Sequence, residues 1–223
     1  MITDQIIKQF SALDVCCVSD AMDRFGIPCG LEGIKPINPG LNICGRAFTV
    51  HYIPCGPAKG TVGDFLDDVK PGDIVVIDNS GRCYCTVWGD LMTILASRNK
   101  LGGTVIDGVC RDVPLIRELK YPIYTKGSYM VTGKDRVEAD GINVPVSVSG
   151  IQIKPGDLIL GDDSGVIAIP FEKAEEVLAA ALEIAKKEAG IEAAIKNGLG
   201  LKEARASVSY HSLQTKNKKE GDE

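Results

Sequence analysis

The chain has 223 residues, of which 44% are hydrophobic and only 5% aromatic, so its core must be built mainly from Val, Ile, Leu and Ala. That length suits one sizeable domain or at most two small ones. A formal net charge of −5 argues against a nucleic-acid partner, because phosphate binding needs a basic face.

In chain order, helices are expected over residues 2–10 and 18–25, the second stopped by Gly26-Ile27-Pro28. Residues 30–45, rich in Gly, Pro and Asn, read as a long loop. Residues 46–53 alternate as a strand does, and a short helix is expected over 62–69. Lys70-Pro71-Gly72-Asp73 then makes a tight turn into the apolar run Ile74-Val75-Val76-Ile77, a buried strand. The same device returns at Lys154-Pro155-Gly156-Asp157 before Leu158-Ile159-Leu160. A turn used twice explains the echo better than a duplicated half, since a repeat needs similarity over a whole unit. Between the two turns lie a helix over 91–99, a strand over 104–106 left through Asp107-Gly108, and a helix over 113–119. Residues 121–170 are strand-like, punctuated by glycines. A long helix follows over 172–196, its stripe of Ala174, Val177, Leu178, Ala181, Leu182 and Ala185 facing the core or a neighbouring subunit. Gly198 and Gly200 end it, and the chain from Ser207 is polar and Lys-rich. The mixed order predicts a single α/β domain with layered sheets over 1–198 and a polar C-terminal tail over 199–223.

The start of the chain lacks the basic opening and apolar run of a secretory leader, and no stretch is long enough to span a membrane. A cytoplasmic protein with reduced thiols is expected. Its eight cysteines include no C-x-x-C pair, and with two histidines the usual zinc spacings are missing. Cys83 and Cys85, two apart on a strand, should share a face. The Gly-x-Gly-x-x-Gly and P-loop patterns are absent, which removes support for dehydrogenase or methyltransferase readings.

One spacing concentrates chemistry: Asp90, twenty residues, then Arg111-Asp112. Gly89-Asp90-Leu91-Met92 opens a helix. The amides of Leu91 and Met92 there suit a substrate carboxylate, and Gly89 lets a ligand approach the backbone. Alone, Asp90 and Asp112 would each be a helix N-cap, and Arg111 a surface partner for Asp107 or Asp112. Together they can do more. Asp112 is a hard oxygen ligand for Mg²⁺ or Mn²⁺, and Asp90 could hold a metal-bound water. Metal and Arg111 would flank the C2 oxygen of a small 2-oxo acid and stabilise the enolate charge that builds there when a group leaves C3.

At these residues the sequence resembles the class II aldolases acting on 4-hydroxy-4-methyl-2-oxoglutarate, grouped with the regulators of ribonuclease activity A. The likeness rests on Asp90, Arg111 and Asp112 as a D-x20-R-D motif, on Val105-Ile106-Asp107-Gly108-Val109 before Arg111, and on Lys154-Pro155-Gly156-Asp157 with Asp162-Asp163-Ser164-Gly165-Val166. It implies a layered α/β/β sandwich assembled as a homotrimer or homohexamer with sites between subunits. It also implies a metal-dependent lyase that releases pyruvate and decarboxylates oxaloacetate. Carried over, Gly89, Asp90, Leu91, Met92 and Arg111 bind substrate, Arg111 and Asp90 are catalytic, and Asp112 binds the metal. Glu188 is the candidate for an acid contributed by a neighbouring subunit. The alternative reading is a non-catalytic regulator that binds and inhibits ribonuclease E. A lyase for another 2-oxo acid, such as a sugar-acid derivative, is a third. Residues 30–45 and 54–63 are the loops expected to set specificity; Trp88 carries no assigned role.

Overall fold

The computed structural model describes residues 3–57 and 60–206. Two helices open it, α1 (Asp4–Phe10) and α2 (Val15–Arg24). Thr3 and Asp14 cap them, their side chains accepting from Ile6 N and Cys17 N. Strands β1 (Lys35–Pro36), β2 (Ile43–Pro54) and β3 (Ile74–Thr86) follow, then α3 (Asp90–Arg98), β4 (Gly103–Cys110), α4 (Val113–Glu118) and β5 (Ile123–Ser128). Next come β6 (Val137–Ile142), β7 (Val146–Val148), β8 (Ile151–Ile153), β9 (Leu158–Asp162) and β10 (Gly165–Ile169). The long α5 (Ala174–Lys196) and short α6 (Leu201–Ala206) close the described chain.

The main sheet runs β1-β5-β4-β3-β2-β9-β10. Strands β2 to β5 are parallel, joined by crossovers through a 3-10 segment, α3 and α4 in turn. Strand β2 divides its partners: Ile43–Arg46 pair with β9, while Val50–Pro54 pair with β6, both antiparallel. Both faces of the parallel strands are covered, which is why Ile74, Val75, Val76 and Ile77 are all fully buried. On one face Phe48, Val75, Ile77 and Ile106 pack under α3 and α4 with Trp88, Ala96 and Ile116. On the other, Ile74, Val76 and Val105 meet Val146, Val148 and Ile153 of the β7–β8 hairpin. Beyond β9 and β10, a third cluster joins Leu160 and Ile169 to α1, α2 and α5 through Phe10, Met22 and Val177. The layered α/β arrangement is therefore present, with helices on both outer sides.

The two Lys-Pro-Gly-Asp turns are the same device. Asp73 N and Asp157 N donate back to Lys70 O and Lys154 O, and Gly72 and Gly156 take φ of 83° and 86°. The strands they launch differ, β3 lying parallel to β2 and β9 antiparallel.

Several boundaries differ from expectation for local reasons. Residues 30–45 hold β1 and the start of β2. The helix expected over 62–69 is a single 3-10 segment, Asp64–Asp68. Strand β4 does not leave at Asp107 but runs to Cys110. Asp107 is buried inside it, held by Lys126 Nζ (2.5 Å) and Ser149 N (3.3 Å). Cys83 is exposed and Cys85 buried, because the pairing of β3 shifts register between Arg82 and Thr86. None of the eight cysteines is bridged. Leu182 of the α5 stripe is 43% exposed. Part of the expected tail is helical, since α6 packs on α5 with Ala204 fully buried; residues 207–223 lie outside the described residues. Among the described residues no helix is long and apolar enough to cross a membrane.

Candidate active site

The parallel strands deliver β3 and β4 side by side, and the chain turns out of each on the α3–α4 side. Arg111 N donates to Trp88 O across that junction at 3.0 Å. Asp90, Arg111 and Asp112 are thus brought together, as the spacing foretold. Neither carboxylate caps its helix, as each would if it stood alone. Gly89 is the N-cap of α3 and Asp90 its first helical residue. Asp112 stands at the N-cap of α4 in the left-handed conformation (φ 59°, ψ 36°), and its side chain makes no bond to that helix. Asp is one of the few residues that tolerates this region. The conformation turns the carboxylate across the gap, where Oδ2 accepts the Asp90 N–H at 3.0 Å and lies 3.4 Å from Arg111 Nε.

Gly89 is required by crowding and not by its dihedral. A Cβ there would sit 2.8 Å from Asp112 Oδ2 and 3.1 Å from Arg111 Nε. Of the two amides expected to meet a substrate, Met92 N has no acceptor among the described residues. Leu91 N is held by Asp90 Oδ1 at 2.8 Å. The start of α3 therefore retains one open donor at its electropositive end.

Two adjoining clefts meet at Arg111. One, of about 200 Å³, is lined by Gly89 to Met92, Trp88 and Arg111, with Val62, Gly63, Thr132 and Lys134 opposite. The other, of about 350 Å³, exposes Asp112 with Ser128, Tyr129 and Met130. A larger concavity of about 560 Å³ lies elsewhere, between α2, residues 30–35 and the β9–β10 turn. Its Lys35 already donates to Ser164 O, and none of Asp90, Arg111 and Asp112 lines it.

Lys134 is the residue that sequence reasoning missed. It belongs to no motif. It arrives because Thr86 at the end of β3 bridges Thr132 and binds Val131 O through both its amide and its hydroxyl. Of the two loops expected to shape specificity, the end of 54–63 supplies Val62 and Gly63, pinned by Tyr52 Oη to Val62 O. Residues 30–45 line neither cleft. Glu188 lines neither cleft of its own chain. It faces α2, where burial and then Asp20 and Asp14 push its carboxyl above the ordinary range.

The donor set fits a hydrated hard cation. Asp112 Oδ1 accepts no hydrogen bond among the described residues, and its side chain is 37% exposed toward the second cleft. No group of three or more His, Cys, Asp or Glu suited to a metal occurs among the described residues. One carboxylate with waters and substrate completing the shell is how Mg²⁺ is commonly held.

The chain is similar over most of its length to proteins of one family. A family model described as RraA-like, Aldolase/RraA, matches residues 15–168. Protein DlpA of Legionella pneumophila is 42% identical over 92% of this chain, which spans only 34% of the length of DlpA. A protein of Halalkalibacterium halodurans named "Putative 4-hydroxy-4-methyl-2-oxoglutarate aldolase" is 36% identical over 84% of this chain and 85% of its own. Among solved structures, an uncharacterized protein of Pseudomonas syringae superposes with a TM-score of 0.86 at 39% identity, covering 92% of this chain and 98% of its own. Streptomyces coelicolor RraAS2, described as an unusual member of the RNase ES inhibitor RraA family, gives 0.78 at 26% identity, covering 84% of this chain and 95% of its own. The chain belongs to the RraA-like family of aldolase and RraA proteins.

Proposed function

We propose that the chain is a divalent-metal-dependent carbon–carbon lyase. It would release pyruvate from 2-oxo acids of the 4-hydroxy-4-methyl-2-oxoglutarate type and decarboxylate oxaloacetate. The observation that carries this reading is the Asp112 carboxylate, turned from its own helix onto the Asp90 amide beside Arg111. As a mere cap, Asp112 would bond to α4.

Asp112 would hold the Mg²⁺ or Mn²⁺ through Oδ1, and Asp90 would accept hydrogen bonds from its waters. The bound ion supplies Lewis-acid polarisation of the 2-oxo group. Met92 N, with Leu91 N once Asp90 Oδ1 releases it, receives the substrate carboxylate. Arg111 donates to the C2 oxygen and stabilises the negative charge that grows there as the C3 bond breaks. Lys134, across the first cleft, attracts the second carboxylate of a dicarboxylic substrate. A homotrimer or homohexamer would let Glu188 of another copy complete the site.

The test is pyruvate release from oxaloacetate with Mg²⁺ or Mn²⁺ and again with EDTA, corrected for catalysis by the free metal. Metal-dependent turnover well above background is expected, and Asp112→Asn should abolish it. Asparagine tolerates the left-handed backbone and still accepts the Asp90 amide, so the variant stays folded. A folded Asp112→Asn enzyme with undiminished turnover would sink the lyase. Absence of turnover with either metal, together with capture of a ribonuclease, would instead favour a regulator of the kind that the Streptomyces relative is named for.

A further inference from the structure

We propose that Trp88 and Thr93 are positioning residues that set the plane of the Gly89–Asp90 peptide and, through it, the Asp112 carboxylate. The inference rests on the lyase reading for its consequence but on separate bonds for its geometry. Trp88 Nε1 donates to Thr93 Oγ1 at 2.9 Å, and both side chains are essentially inaccessible, at 2% and 0% exposure. An indole nitrogen can only donate, so the hydroxyl must pass its own proton on. It does so to Gly89 O at 2.8 Å. The direction of the chain is therefore fixed: indole, hydroxyl, carbonyl.

The Gly89 carbonyl and the Asp90 N–H belong to one planar peptide unit and point in opposite directions. Thr93 holds one end of that plane twice, through its hydroxyl at 2.8 Å and through its backbone N–H at 3.0 Å; the second bond belongs to the helix, and the hydroxyl adds the constraint on tilt. At the other end, the Asp90 N–H holds Asp112 Oδ2 at 3.0 Å. Without the hydroxyl, a tilt of the plane about the remaining helical bond would swing the amide away from the carboxylate. The indole is itself fixed, stacked on Tyr121 with ring centroids 5.9 Å apart and planes within 3°. Tyr121 is in turn tied to Thr104 of β4 at 3.0 Å. Anchorage in the interior thus reaches the proposed metal ligand without any side chain of the relay entering solvent.

The test separates the hydroxyl from the volume it fills. Thr93→Ser keeps the relay, while Thr93→Val keeps the shape and removes it. Free Mn²⁺ is titrated into wild type and both variants and followed by electron paramagnetic resonance, with circular dichroism confirming fold. Mn²⁺ binding by Thr93→Val should weaken about 10–100-fold, as loss of a group that orients a metal ligand does. Thr93→Ser should stay within about threefold on the same scale. The double variant Trp88→Phe/Thr93→Val removes the stranded indole N–H and should bind Mn²⁺ no better than Thr93→Val. Equal Mn²⁺ affinity in wild type and folded Thr93→Val would overturn the positioning role alone. Wild-type protein that binds no Mn²⁺ would overturn it together with the metal-lyase reading. Wild type that binds Mn²⁺ without decarboxylating oxaloacetate, with Thr93→Val weakened, would uphold positioning and reject only the reaction.

Discussion

Asp112 occupies a conformation that costs a non-glycine residue about 1 kcal/mol or more, and the return is a carboxylate aimed at a neighbouring helix. The crowding that keeps it there is testable at Gly89, whose φ of −152° any residue can adopt. Gly89→Ala should therefore fold, yet its methyl must displace Asp112 Oδ2, only 2.8 Å away. Turnover should fall about 10²-fold, the usual result of misplacing a reacting group by around an ångström. Wild-type kinetics in a folded variant would show that the close packing has no catalytic consequence. Arg111→Lys keeps the charge but loses the planar fork, and kcat is expected to drop about 10²–10³-fold with a smaller change in KM. These residues were legible in the sequence as a set, because a fixed spacing across a strand and a helix survives any detail of the loops. Their local conformations were not. A left-handed Asp112 and a capping Asp112 are the same letters, and the choice is made by Asp90 N, twenty-two positions away.

Among the elements, the closing helix α5 and the strands β3, β4 and β9 could be read from periodicity, apolar runs and Pro-Gly turns, though not their directions. What escaped were features created by pairing: the continuation of β4 past Asp107, the register shifts of β3, and the delivery of Lys134 by a bridge at Thr86. None of these leaves a local pattern. Helix α5 carries a feature with a pH signature. Glu188 is pushed up by burial, then by Asp20 and Asp14. A carboxyl raised in the folded state contributes stability below its ordinary pKa and loses that contribution as pH rises through the raised value. Glu188→Gln should then raise the melting temperature of the isolated chain by about 1–2 °C at neutral pH, after allowance for solvent screening, with the gain vanishing below about pH 4. Thermal melts across pH check the sign, and a gain that persisted at acid pH would refute the electrostatic cause. The same variant should lose turnover if Glu188 serves another copy, a separation of stability from activity that a purely structural glutamate would not produce.

Over the whole molecule, large apolar side chains collect beside the clefts. Leu91 is 76% exposed, Met130 74% and Tyr129 41%, on segments that also carry the site. We propose this surface as the contact between copies of the chain. On the proposed trimer or hexamer built through this surface, Met130→Glu should shift the mass toward monomer in size-exclusion chromatography with light scattering, and lower turnover with it. An unchanged mass would place the contact elsewhere. The divided strand has a further consequence. Because β2 pairs through its first residues with β9 and through its last with β6, while its middle pairs with β3, the β9–β10 end of the sheet and the parallel strands share one backbone. Neither part should open while the other stays shut. Amide exchange at Cys44, paired with β9, and at Val50, paired with β3 and β6, should converge on a single rate set by global unfolding. The molecule should then melt as one cooperative unit, although its hydrophobic interior is divided into three clusters.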